Sequence, residues 1–517
     1  MIGSIFRRGV WLSVAVFVFG GIASVADASA ALVRVPDNPL GGLTTCGSLV
    51  AQQTSLGSVN FPDSEVEPYI AVDPTKPNHL VASVQQDRWN DGGANGLTNA
   101  VSTDGGATWS LAATQPAFSV CEGATTGSPG DFNRATDPWV SFSSDGKIAY
   151  SISDSFNANG PGFGGASSII VSRSTDGGVN WQTPVTARLD TSLTVLNDKE
   201  SVTADSRSTH PNDAYAVWDR LVSPNSNANP SAFLHSPALR GPTLFSRTTD
   251  GGLTWSTGRV IFDPGQNNQT IGNQIVVPKA GPAAGQLIDG FDLILASGGG
   301  NAKHGRTQFL PAIIRSTDGG NTWSGATTIA TQQIGSVSIQ GQHLRTSDFL
   351  PEFAAGPEGN LYVVWQDARF SPTGASKIAF SMSTDGGSTW SAPIRVDASA
   401  GDSQAFVPQV AVRADGTVAV QYYDLQNATA SQPDLTDQYI VTCSSKCSDG
   451  TSWSGETRLS TSGSFNILTA PNTTSGAGFL GDYDGLASAG STFDSAFAMA
   501  KPIATTGPTD LFFNTAP

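Results

Sequence analysis

An eight-residue phrase recurs along this chain and limits what it can fold into. It reads STDGGATW (102–109), STDGGVNW (174–181), TTDGGLTW (248–255), STDGGNTW (316–323) and STDGGSTW (383–390). A worn sixth copy, SDGTSW, ends at Trp453 with its Asp displaced by one place. Successive Trp residues of the series stand 63 to 74 residues apart. A period of this length means one supersecondary unit copied along the chain. Each phrase has the chemistry of a tight hairpin between two strands. The Gly pair adopts backbone angles that a Cβ resists, the Asp accepts hydrogen bonds from the turn's own N–H groups, and the Trp packs between neighbouring sheets.

The phrase matches the Asp-box S-x-D-x-G-x-T-W, so the chain resembles the sialidase-like Asp-box (BNR repeat) β-propellers over most of its length. The resemblance implies an all-β fold of four-stranded blades, with each Asp-box hairpin between the third and fourth strands. In that family the box lies on an outer hairpin, away from the substrate face. The strongest motif therefore speaks for fold and hardly at all for chemistry.

Upstream of each box stands an alternating strand, a turn and a second strand ending in polar residues. These pairs begin at Glu67, Asp137, Glu200, Gln274, Pro351 and Pro408. A seventh pair starts at Gly481, after the last box, and is followed by a strand at 510–514. Six boxes with seven inner-strand pairs give seven blades, with six as the alternative. The seventh blade lacks a fourth strand. A segment within 46–60 is expected to supply it and so remove the exposed sheet edges. Residues 31–517 then form a single propeller domain.

The first 30 residues read as a signal peptide: Arg7 and Arg8, a largely apolar run from Val10 to Val25, and an Ala28-Ser29-Ala30 cleavage signal. A retained anchor is the alternative, but the run is short for a span. The mature protein is expected to be secreted (extracellular, periplasmic or at the cell surface) and free of membrane. Four Cys in an exported chain favour disulfides. Cys443 and Cys447 would close a small loop beside the worn box, leaving Cys46 to pair with Cys121. A formal net charge of −16 makes nucleic acid an unsuitable partner.

Two rings of candidate residues follow. The ends of the second strands repeat Asp87, Asp154, Asp219, Asp367 and Asp424, and Arg88, Arg220 and Arg369 follow in blades 1, 3 and 5. Arg binds carboxylates bidentately, and the resemblance implies a clamp of three arginines on an anionic sugar. The plainer reading is that each Asp pairs with its own Arg or caps a loop. The starts of the inner strands differ from blade to blade: Tyr69, Trp139, Ser201, Gln274, Glu352, Gln409 and Asp484, with Glu67, Asp137, Glu200 and Asp482 just before them. Carboxyl groups around an axis suit general acid–base work on a glycosidic bond. A polar axial channel without chemistry is the competing reading. Glu352, Asp484, Asp482 and Tyr483 are the catalytic candidates; Arg88, Arg220, Arg369, Trp139 and Tyr423 are the substrate-binding candidates.

The sialidase Arg-Ile-Pro motif is absent from the mature chain. The first arginine of that family's clamp therefore has no counterpart, and no local motif selects its nucleophile. No cofactor is expected. Asp-rich loops offer calcium oxygen ligands, but no EF-hand spacing specifies a site. The expected function is a glycan-directed protein, a glycoside hydrolase at the central funnel; the alternative is a non-catalytic propeller that binds glycan or protein on the same face.

Overall fold

The computed structural model describes residues 26–27, 31–38, 40, 46–158, 165–223, 240–296, 307–399 and 401–517. The expected signal peptide falls outside these residues except for Ala26–Asp27, which pair in parallel with Thr457–Arg458.

The described chain is all-β. Antiparallel meanders follow one another at 65–111, 134–190, 195–262, 269–328, 352–395, 405–458 and 485–516. The first two are joined into one eight-stranded sheet through the pair Ala94–Ala135. Each box lies between the third and fourth strands of its meander, as between Ala94–Ser102 and Ser110–Leu111. Strand direction alternates, so the boxes sit at the end opposite to the inner-strand starts.

The inner strand of each meander packs against the next, and that of the seventh, Gly485–Ala489, packs against that of the first, Glu65–Asp73. Apolar clusters fill the space between neighbouring sheets. Tyr215, Val217 and Phe245 of the third meet Ile275, Val277 and Leu287 of the fourth, and Ile70 and Leu80 of the first meet Leu511 and Phe513 of the seventh.

The boxes bolt these sheets together. In all five, the first Ser or Thr hydroxyl accepts the N–H of the second Gly at 2.8–2.9 Å. It donates in turn to the Asp, whose carboxylate accepts the backbone N–H four residues on at 2.9–3.0 Å. The Trp reaches back to the preceding sheet: Trp109 meets Phe513, Trp255 meets Tyr150 and Trp323 meets Phe245, edge to face. The second Gly is needed twice over. Gly106 has φ +82°, and a Cβ there would fall 2.0 Å from Phe513. The worn sixth box keeps its Trp against Phe380, and the disulfide Cys443–Cys447 closes the loop before it.

The fourth strand of the seventh meander corrects one expectation. Val33–Arg34 supplies it, paired with Phe513 and Phe512, and not a segment within 46–60. That stretch holds the helix Gly47–Ser55. Its sequence, GSLVAQQTS, carries few β-branched residues and several good helix formers. Cys46 is tied to Cys121, as expected, and Arg34 is anchored on Asp510 at 2.7 Å. No described helix is long and apolar enough to cross a membrane.

Candidate functional site

At the end opposite the boxes, five inner strands carry the same irregularity. The pairing register slips between Val66 and Tyr69, Thr136 and Trp139, Asp198 and Ser201, Ile271 and Gln274, and Phe406 and Gln409. Each slip contains a residue at positive φ: Glu67 (54°), Asp137 (54°), Lys199 (51°), Gly272 (71°) and Val407 (50°). Such bulges re-aim a side chain. In the first three sheets the re-aimed residue is charged, and the three side chains converge.

Lys199 is the hub. Its Nζ lies 3.2 Å from Glu67, 3.3 Å from Asp137 and 2.6 Å from Asp482 of the seventh sheet. Arg345, from the segment that precedes the fifth sheet, grips both oxygens of Asp482 at 3.0 and 2.5 Å. Ser347 also donates to Asp482, and Gln85 donates to Glu67. Arg88 donates to Gln85 at 2.7 Å, while its buried Nε has no partner. Arg88 and Arg345 both lie against the ring of Phe479, at 4.7 and 4.5 Å.

The protons in this cluster are unevenly held. Burial pushes Glu67 up to about 8, with Lys199 opposing and the neighbouring Asp482 and Asp137 adding to the rise. Asp482 is buried too, yet Arg345 and Lys199 hold it well below the usual carboxylate range. Asp137 is likewise lowered, against burial, by Lys199. Lys199 itself is raised, because its carboxylates outweigh the burial that opposes its charge.

The cluster is closed over. Lys199 is only 8% exposed. The chain just before the seventh sheet runs across it, with Phe479 buried against Arg88 and Arg345 and Leu480 buried beside it. This crossing is pinned at several points: Arg345 N–H to Ala477 O, Thr474 N–H to Asn90 O, and Glu67 N–H to Leu480 O.

The other catalytic candidates are buried as well. Glu352 accepts from Gln274 at 2.7 Å and Gln409 at 2.9 Å, and burial lifts it to about 8 against those two bonds. Asp484 accepts from Tyr423 at 3.2 Å and Gln438 at 3.1 Å and is raised well above its usual range by burial. Trp139 stacks on Tyr69 at 3.6 Å. Tyr483 meets both rings edge-on and donates to Pro138 O at 3.0 Å.

The three expected arginines are not brought together. Arg220 is held by Asp190, which Arg188 also binds, and Arg369 is held by Asp367; only Arg88 reaches the axis. The repeated Asp residues are engaged locally. Asp87 accepts from Asp63 N–H at 2.8 Å, Asp219 accepts from Gly272 N–H of the next sheet at 2.9 Å, and Asp367 accepts from Trp365.

Sequence reasoning missed Lys199 and Arg345. Lys199 occupies the repeat position of Glu67 and Asp137, two residues before Ser201, and Glu200 had been set there instead. A shift of one residue turns a side chain to the other face, and counting two residues back from Ser201, as from Tyr69 and Trp139, finds Lys199. Arg345 lies outside the repeat and left no signal. No described group of three or more His, Cys, Asp or Glu residues is placed to hold a metal ion.

A family model described as "BNR/Asp-box repeat" matches residues 100–111. No curated protein matches the chain. Among solved structures, a protein of unknown function from Dyadobacter fermentans shares 13% identity over 89% of this chain and 97% of its own, with a TM-score of 0.41. An α-L-arabinofuranosidase from Fusarium graminearum shares 11% over 94% and 97%, with a TM-score of 0.43. An intramolecular trans-sialidase from Ruminococcus gnavus shares 13% over 88% and 94%, also with a TM-score of 0.43. Likenesses at this level carry no argument about chemistry.

Proposed function

We propose that this Asp-box repeat protein is an exported, closed seven-bladed β-propeller that binds glycan on the face where its inner strands start, without cleaving it. The signal peptide is residues 1–30 and the propeller is the single domain 31–517. The glycan-directed class is what the Asp-box resemblance implies, and not a property of the boxes themselves. One observation carries the non-catalytic reading: the axial carboxylates already have their partners inside the protein. Lys199 contacts three of them, Arg345 grips one bidentately, and a well-packed crossing segment covers them. Buried charges paired in this way hold a fold in register more readily than they bind a substrate.

A second reading, a glycoside hydrolase, is favoured by the uneven protonation. Glu67 and Glu352, each at about 8, stand in the same axial region as the ionised Asp137 and Asp482. A protonated and an ionised carboxyl group are what acid-assisted glycosidic cleavage requires. In that reading Glu352, Asp484, Asp482 and Tyr483 would carry the chemistry, and Arg88, Trp139 and Tyr423 would shape the site. No metal or other cofactor is assigned.

The test pairs a panel of aryl glycosides with a glycan array, run on the mature chain and on the Glu67→Gln, Glu352→Gln and Asp484→Asn variants. Array binding without turnover is the expected result. Turnover that falls by about 10²–10⁴-fold in a folded variant would establish the hydrolase instead.

A further inference from the structure

Away from the axis, on the same face, a cavity of about 240 Å³ opens between the loops of the sixth sheet and a hairpin at Ser338–Ile339 and Gln342–His343. The hairpin belongs to the segment that also delivers Arg345. It is set in place on both sides. Val337, Ile339 and Leu344 are buried against Phe406, Val407 and Leu425. The Gln404 amide pairs with the backbone of Ser338 in both directions, at 3.1 and 3.0 Å.

We propose that this cavity is a binding subsite for one neutral sugar ring at the end of a glycan. The proposal rests on the glycan-directed reading above and names the class of sugar. Size is the first argument. The volume lies below the ~300–1,000 Å³ of sites for drug-sized ligands. It has room for one terminal ring, with the rest of a glycan left outside the open mouth.

The lining is the second argument. Asp402, Ser403 and Gln340 offer polar groups to ring hydroxyls, while Ile339, Leu425 and Pro433 offer an aliphatic wall to ring C–H groups. That division of polar and apolar atoms is the one a pyranose presents.

Charge is the third argument. Among the described residues, no Lys or Arg lines the cavity. Lys377 lies behind the loop, and its ammonium is taken up by the carbonyls of Gly401 and Ser403. Behind Ser403 stands Asp424, which accepts the serine hydroxyl and keeps a second buried oxygen without a partner. A site that presents the Asp402 carboxylate and no lining cation disfavours a carboxylated sugar and accepts hydroxyl donors.

Ligand-observed NMR on the mature chain tests this, with D-galactose, D-glucose, D-mannose and N-acetylneuraminic acid as probes and a glycan array alongside. A neutral hexose is expected to bind and N-acetylneuraminic acid is not. Ala428→Trp, which fills the cavity, should abolish hexose binding, and Asp402→Asn should weaken it about tenfold. Circular dichroism melting confirms that each variant is folded. A folded Ala428→Trp protein that still binds the hexose and the array glycans overturns the subsite while leaving the glycan reading intact. A wild-type chain that binds no glycan in either assay overturns both. Preferential binding of N-acetylneuraminic acid overturns the neutral-sugar assignment alone.

Discussion

The two ends of the same sheets are built on opposite principles. At the box end, the first five meanders repeat one local device. Its Asp is near solvent, accepts from its own turn, and is held to about 2 in Asp318 and Asp385 by hydrogen bonds from Thr322 and Thr389 respectively. At the strand-start end no two neighbouring sheets present the same residue. Glu67, Asp137, Lys199 and Asp482 are buried, find their partners across the molecule, and titrate according to who stands beside them. A repeat can reproduce a turn in every sheet. It cannot supply a cation to balance carboxylates that meet at one point, and Lys199 is where one sheet breaks the pattern to do so.

The largest expected effect separates the two ends by pH. At the strand-start end Glu67, Glu122 and Glu352 are raised to about 8, and Asp198 and Asp424 to about 7, with burial the leading cause in each. In the unfolded chain these groups titrate near ~4. The folded protein therefore holds protons that the unfolded chain has released. The stability they contribute is fully present below about pH 4 and drains as pH rises toward 8. The box carboxylates act in the other direction, losing their contribution as pH falls from about 4 toward 2. Thermal melting across this range should peak in mild acid and decline toward pH 8. A melting temperature that climbs from pH 5 to 8 would refute the assignment.

Next comes the hub. Lys199→Met leaves Glu67, Asp137 and Asp482 facing one another without their shared cation. Removing one partner of a buried pair costs about 3–5 kcal/mol, measurable by chemical denaturation. Adding Asp137→Asn to the same chain should recover part of that loss. A loss well under ~1 kcal/mol would mean that the cluster does not tie the sheets together.

The disulfides give a comparison within one chain. Cys46–Cys121, near the strand-start end, closes a separation of 75 residues; Cys443–Cys447, beside the worn box, closes one of 4. Loop-closure entropy assigns the first about 4 kcal/mol and the second about 2. Replacing each pair with Ala and comparing denaturation midpoints checks the order. Equal losses would mean that the short bridge acts through the native hairpin and not through the unfolded chain.

A change of similar size to the loss of the short bridge is expected at a single box. Trp323 packs on Phe245 but is only partly buried, so Trp323→Ala should cost about 2–3 kcal/mol, below the range for a fully buried aromatic. Glycan binding by the folded fraction should not change. If binding is lost while the melting temperature holds, the box belongs to the site and the contrast between the two ends fails.

The period of the boxes, the all-β class, the seven inner-strand pairs and both disulfides could be read from the chain alone. Each depends on residues close in sequence or on a pattern copied often enough to average out local noise. The fourth strand of the seventh meander was misplaced because Val33–Arg34 is two residues long and gains its partners only when Phe512 and Phe513 come round to meet it. Glu67, Asp137 and Asp482 could be read as carboxyl groups beside the variable strand starts, around one axis, but nothing local said which cation would join them. The bulges that turn them inward are set by how adjacent strands pair. Val407, β-branched and yet at positive φ, shows packing overriding local preference. Lys199 comes from the third meander and Arg345 from the segment before the fifth, and their side chains reach Asp482 only after the sheets have assembled. Charge pairing across such distances in sequence is a property of the packed molecule, because a carboxylate chooses its partner by proximity in space.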